Sequence, residues 1–317
     1  MKTITAAVVL SAIAVAGSGW THTAKAAKTF VIGYSQSNNA EPYRAQLNIQ
    51  LAHYVKQYPD LKLLPITDAH QSNTLQVSQV QNFIAQHVDV LMVSPTEPGP
   101  LSAPVEQACA KHIPVIILDR SVNTNCYRSF IGGNNILIGR LAGREAVRLL
   151  PHGGNVVELR GLLSDQPQID RDAGFRTVIA RHPNIKIIAN REAKWLKPLA
   201  IPIMQQWLSR FKKIDLVYAQ NDPMALGAYV AAAGVGRAKQ IKFTGIDGLA
   251  IPDGGIRAVQ LHELAATFIY PTCALQAAQY AERIVHHEPV RHRLILGTTQ
   301  VTPRNAARLY RKYHFGG

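Results

Sequence analysis

Short apolar runs recur along the chain, each followed by a polar break and then by a segment whose apolar residues fall at helical spacing. Phe30-Val31-Ile32-Gly33-Tyr34, Leu61 to Ile66, Val88 to Val93 and Val115 to Leu118 read as strands buried on both faces. That is the pattern of a parallel sheet covered by helices. Helices are predicted between them: one opened by Pro42 with Leu47, Ile49, Leu51 and Val55 on its inner side, then Leu75 to His87 and Leu101 to Lys111. Tyr127 to Ile131 adds a short strand before Gly132-Gly133-Asn134-Asn135 breaks the rhythm, and a helix follows from about Ile136 to Leu150.

A second alternation starts after Pro151-His152-Gly153-Gly154. Strands are expected at Asn155 to Leu159, Ile185 to Ile188, Ile214 to Tyr218 and Ile241 to Thr244. Helices are expected after Arg171, around Ile203 to Phe211, and from Met224 to Ala233, where Asp222 should be the N-cap and Pro223 the first helical residue. Ala265 to Ile269 and a helix after Pro271 complete the series. Two rounds of strand and helix in 317 residues predict an α/β protein of two lobes, because such a length exceeds one ordinary core.

Ligands of parallel sheets sit outside the carboxyl ends of the strands. The most informative stretch is therefore V-I-I-L-D-R at 115 to 120, an apolar run that ends in an acid and a base. Asp119 offers two acceptor oxygens and Arg120 a planar fork of donors, a match for the adjacent hydroxyls of a polyol. Taken alone, the pair also fits a structural ion pair capping the strand.

Composition, 47% hydrophobic and 17% charged, is globular. Lys2, the apolar segment Ile4 to Ala16 and the small-residue site Ala24-Lys25-Ala26 read as a secretory signal cleaved after Ala26, and Ser18, Thr21, His22 and Thr23 interrupt the run too early for a membrane anchor. The net charge of +14 is scattered over predicted helix faces without a dense basic block, which argues against a nucleic-acid partner. Export permits a disulfide. Cys109, on the helix before the Val115 strand, and Cys126, just before the next strand, are positioned to form one, and Cys273 reads as a buried free thiol.

No G-x-S-x-G, P-loop or H-E-x-x-H is present, and no cofactor or metal site is expected. His286, His287 and Glu288 fit a solvated helix end better than a zinc site. Asp119 with Asp247 would suit a glycosidase, but flanking arginines would keep both acids ionised and leave no proton donor. The expectation is a binding protein, not an enzyme.

The exported start, Tyr43-Arg44 after a polar loop, L-D-R at 118 to 120, I-D-R-D-A-G-F at 169 to 175, Y-A-Q-N-D-P-M-A-L-G-A at 218 to 228, G-I-D-G at 245 to 248 and A-A-T-F-I-Y-P-T at 265 to 272 together resemble the periplasmic sugar-binding proteins of ABC importers, most closely the ribose-binding and galactofuranose-binding members. The resemblance implies two similar three-layer α/β lobes with parallel sheets, joined by three crossovers. The amino-terminal lobe would be 27–133 and 271–295, and the carboxy-terminal lobe 134–270 and 296–317. It implies hydroxyl binding by Asp119, Arg120, Arg171, Asn221 and Asp247, stacking by Tyr43 and Trp195, and a further arginine at Arg44. Ser35 and Asn39 are candidates for additional bonds, and Tyr270 stands where ribose binders have glutamine. Pro198 and Pro202 are expected to displace the first turn of the helix after Trp195.

The implied function is capture in the periplasm of a monosaccharide, a pentose or a furanose-form sugar such as galactofuranose, by a monomer that delivers it to an ABC permease. A sensing module for a chemoreceptor or sensor kinase would share the same site. A DNA-binding repressor shares the fold but begins with a helix-turn-helix where this chain has its signal.

Overall fold

The computed structural model describes residues 28–315, so the expected signal segment lies outside the described residues. The first series of elements is β1 (Phe30–Gln36), α1 (Pro42–Val55), β2 (Leu61–Leu63), β3 (Thr67–Asp68), α2 (Asn73–Ala85), β4 (Val90–Ser94), α3 (Pro98–Ala110), β5 (Val115–Leu118) and β6 (Ser129–Gly133). The second is α4 (Asn135–Leu149), β7 (Gly154–Arg160), α5 (Gln166–Ile179), β8 (Ile185–Glu192), α6 (Lys197–Arg210), β9 (Leu216–Ala219), α7 (Asp222–Gly234), β10 (Lys242–Thr244), α8 (Gly255–Gln260) and β11 (Thr267–Phe268). The chain closes with α9 (Ala274–Val285), β12 (Arg293–Leu296), β13 (Gln300–Val301) and α10 (Ala306–Tyr313).

These strands form two parallel sheets. One has the order β12-β6-β5-β4-β1-β2, with β3 also paired to β1; the other has the order β10-β9-β7-β8. A small antiparallel pair, β11 with β13, lies beside the second. Every residue of β4 and β5 is buried, as continuous apolar runs require of strands covered on both faces. The chain passes between the sheets at Gly133–Asn135, between Phe268 and Ala274, and between Leu296 and Gln300. One apolar core joins α1, α9 and a face of the first sheet to α4, α5 and a face of the second, and a separate core covers the other face of each sheet.

Local chemistry explains where elements begin. Ser72 caps α2 by accepting from the Leu75 N–H, and Asn134 caps α4 by accepting from the Leu137 N–H. Asn221, not Asp222, caps α7: its Oδ1 accepts from the Met224 N–H at 3.0 Å, and Asp222 is already helical. Helix α5 begins at Gln166, so Arg171 lies in its second turn instead of preceding it. The first turn of α6 is not displaced, because Pro198 occupies a position whose N–H needs no intrahelical partner. Ile49, expected on the inner side of α1, is 58% exposed.

Helices α4 and α5 touch backbone to backbone. A Cβ at Gly139 would run into the Arg171 carbonyl oxygen, and one at Gly174 into that of Ile136. This close approach seats the turn of α5 that carries Arg171.

Cys109 and Cys126 are bonded, with Cα atoms 6.2 Å apart, and Cys273 is free and buried at the start of α9. In protein made under oxidising conditions, a thiol count in denaturant should therefore find one reactive group before reduction and three after. Three at the outset would refute the bridge.

Candidate functional site

Strand β5 delivers its polar end into a cleft between the two sheets. At Asp119 the backbone turns into the left-handed region, with φ of 68°, and the Asp119 N–H donates to the Ile131 carbonyl at 2.9 Å. The carboxylate is held from both sides: Oδ2 accepts from Arg44 Nη2 at 2.8 Å and Oδ1 from the Tyr270 hydroxyl at 2.9 Å. Arg44 also donates to Glu41 at 3.1 Å, Gln36 at 2.8 Å and Ser94 at 2.7 Å. Burial disfavours its charge, but Glu41 and Asp119 more than compensate and raise its pKa further. Arg120 reaches the other way, donating to the Thr96 carbonyl at 3.1 Å and pairing with Asp165 at 3.0 Å.

Asp165 precedes α5 and belongs to the second series of elements, so the Arg120–Asp165 pair crosses the cleft. On the same side Arg171 donates Nε to Asn135 at 2.9 Å and Nη1 to the Gln220 carbonyl at 2.6 Å. Its guanidinium lies over two rings, 5.4 Å from the Trp195 centroid and 4.7 Å from that of Tyr270. Trp195, with φ of 69°, lies against Gly161, where any Cβ would collide with the indole. Its Nε1 donates to Asp165 at 2.9 Å, and its carbonyl accepts from Asn221 at 2.9 Å. Asp247 has φ of 131° and, among the described residues, no hydrogen bond or ion pair through its carboxylate. Three of the site side chains thus spring from backbone conformations that side-chain-bearing residues seldom adopt.

Burial sets the acid strengths. It pushes Asp165 up to about 6 against the pull of Arg120, and Asp222 up to about 6 although Thr267 and the Gly248 N–H donate to it. Asp247 is raised well above the usual carboxyl range, first by burial and then by Asp222. Cys273, buried beside Tyr43, is pushed up to about 12.

Tyr43, Arg44, Asp119, Arg120, Arg171, Trp195, Asn221, Asp247 and Tyr270 line one tight cavity. Ser35 and Asn39 do not. Ser35 is buried and donates to Gln79 at 3.0 Å, and the exposed Asn39 accepts from Asn48 at 2.7 Å. A bond to helix α2 and one from helix α1 to the loop consume groups that look free in a polar loop. Glu41 and Pro167 join the lining, and Asp165 braces it; none was among the sequence candidates. Glu41 and Asp165 each stand just before a helix, where an acid reads as a cap, yet neither side chain caps its helix. Two larger hollows, one beside α1 and α10 and one between Pro42 and α7–α8, are lined by none of Arg44, Asp119, Arg120 or Arg171.

The site has the chemistry of a receptor for a small neutral polyol: paired acceptors and donors around two aromatic faces. A family model described as "Periplasmic binding protein domain" matches residues 32–262. The galactofuranose-binding protein YtfQ of Escherichia coli K12 is 32% identical over 237 residues, 72% of this chain and 73% of that protein. The ribose import binding protein RbsB of Salmonella typhimurium is 29% identical over 229 residues, 72% of this chain and 76% of that one. Among solved structures, the fructose-binding periplasmic domain of a hybrid two-component system has a TM-score of 0.86 at 35% identity, covering 89% of this chain and 94% of that one. A galactofuranose-binding protein has a TM-score of 0.83 at 27% identity, covering 90% and 98%. With a type I two-lobe α/β fold and a match that spans most of its length, the chain belongs to the periplasmic binding protein family, a family of solute-binding proteins and not of enzymes, and takes its place beside sugar-binding members.

Proposed function

We propose that the protein is exported to the periplasm after cleavage at Ala26, works as a monomer, and captures a monosaccharide between its lobes for delivery to an ABC permease. A pentose or furanose-form sugar, galactofuranose-like, is the ligand the site favours. The observation that carries this reading is the convergence of nine sequence-singled residues from both lobes on one cavity.

The residues take distinct roles in this reading. Asp119 keeps acceptor capacity beyond Arg44 and Tyr270, and among the described residues Arg171 Nη2 and the Asp247 carboxylate have no partner. Trp195 and Tyr43 give the ring its apolar faces. Arg44 gives four of its five N–H donors to protein acceptors and acts mainly by holding Asp119. The Tyr270 hydroxyl donates to Asp119 and accepts from the Gly133 N–H at 3.3 Å, which leaves little for a ligand and speaks against ribose as such. The lobes of this reading are 27–133 with 271–295 and 134–270 with 296–317. A second role, presenting the sugar to a sensor, is favoured by the likeness to the periplasmic domain of a hybrid two-component system.

A thermal-shift screen over pentoses, hexoses and their furanose forms should identify the sugar, since a ligand at a hundred times its dissociation constant adds about 2.7 kcal/mol. With that sugar, Asp119→Ala and Arg171→Ala should each weaken calorimetric binding by about 2 to 5 kcal/mol while the protein stays folded, because buried partners are left unpaired. Wild-type affinity in both variants would remove the site assignment.

Ligands drawn from both lobes should also couple binding to hinge closure. If the closed form is about 1% of the free protein, reaching it costs about 2.7 kcal/mol, which a few charged hydrogen bonds of about 1.5 to 3 kcal/mol each offset. Solution scattering should show a smaller radius of gyration with sugar, and Trp195 emission should change. A saturating sugar that leaves the scattering curve unmoved would rule out closure.

A further inference from the structure

The carboxylates that meet across the cleft are poorly compensated where the lobes close on them. Asp165 is fully buried; its Oδ2 receives Arg120 Nε and Trp195 Nε1, but its Oδ1 is buried with no partner among the described residues. From the first lobe it is faced by Arg120, Arg44 and Asp119, and from its own by Trp195. Asp247 faces the cavity with no carboxylate partner among the described residues, and around it stand Glu41 and Asp119 from the first lobe and Asp222 and Arg171 from its own. One ion pair at 3.0 Å does not repay taking a carboxylate out of water when half of its acceptor capacity is left unused.

We propose that Asp165 and Asp247 form a charge guard on the cleft: closing the lobes buries these carboxylates at a net cost, which a sugar's hydroxyls offset at Asp247 and protons offset at both, so the protein shuts only when one or the other is present. The cross-cleft pair is then a selector and not a latch. It orients Arg120 and Trp195 in the closed form, yet it does not by itself favour that form. The sign of the pH effect follows from the acid strengths given above. Burial weakens both acids, Asp165 to about 6, so acid favours the closed arrangement and neutral pH opposes it in the absence of sugar. Asp222 also titrates around 6, but its donors, Thr267 and Gly248, lie in its own lobe.

The test uses no sugar and so stands apart from the identity of the ligand, though it rests on the hinge closure proposed above. The exposed Thr74, on α2, and Arg191, on β8, are replaced with cysteine (Thr74→Cys, Arg191→Cys) and spin-labelled; Cys109 and Cys126 are bonded and Cys273 is buried, so neither competes. The protein is stripped of co-purified sugar by unfolding and refolding with the disulfide intact. Interlobe distances are then measured by double electron–electron resonance at pH 7.5 and 5.0. The wild type should be mainly open at pH 7.5 and gain a closed population at pH 5.0. Asp165→Asn keeps the shape and a carbonyl acceptor for Arg120 and Trp195, and should raise the closed fraction at pH 7.5 by about tenfold relative to the open one, the equivalent of one pKa unit. Asp247→Asn should act in the same direction and serves if the first variant folds poorly. Distances identical to wild type in both variants at pH 7.5, or an acid shift toward the open form, would overturn the guard. A single distance in every sample would reject the hinge itself.

Discussion

Seven buried ionisable groups, Glu41, Asp119, Asp165 and Asp247 against Arg44, Arg120 and Arg171, meet in the cleft, and none of them can leave water alone. The surrounding architecture reads as the means of satisfying them. Gln36, Ser94 and Thr96 stand at the carboxyl ends of β1 and β4 to receive guanidinium protons, and Asn135 and Gln220 do the same for Arg171 from the second lobe. What remains unsatisfied after these bonds, chiefly Asp247 and part of Asp119 and Arg171, is what a ligand can use. The network therefore both defines the site and limits what fits it.

In the proposed reading, that partition suits a receptor better than a catalyst. Asp119 and Asp247 are two acids in one cleft, but Asp119 is pinned between a guanidinium and a phenol. The aromatic surfaces of Trp195 and Tyr43 carry no reacting group. The cavity combines hydrogen-bonding groups with aromatic ring faces.

The alternation of buried strands and helices was legible because parallel sheets write long apolar runs into the chain, as in Val115 to Leu118. The acid and base after that run, and the arginine, tryptophan and asparagine of the second lobe, were legible from motif and position. Partnership was not. Whether Ser35 faces a ligand or Gln79, and whether Asp165 caps a helix or reaches across to Arg120, depends on register and on the meeting of two lobes, neither of which leaves a local trace. The cap of α7 shows the same limit on a small scale: Asn221 and Asp222 are both good capping residues, and the choice falls to Asn221 because Asp222 is taken by Thr267 and the Gly248 N–H.

Tyr270 sits on one of the segments that link the lobes, its ring against Gly133 on another, and its hydroxyl joins the Gly133 N–H to Asp119. A brace of the cavity is therefore built into a segment that links the lobes. If the lobes hinge as proposed, any exchange at Tyr270 that reshapes the cavity also changes the stiffness of the joint, so at this position ligand selectivity and the speed of opening cannot evolve independently. A lineage in search of a new sugar keeps its opening rate only by altering the cavity wall farther from the pivot, at positions such as Trp195 or Pro167.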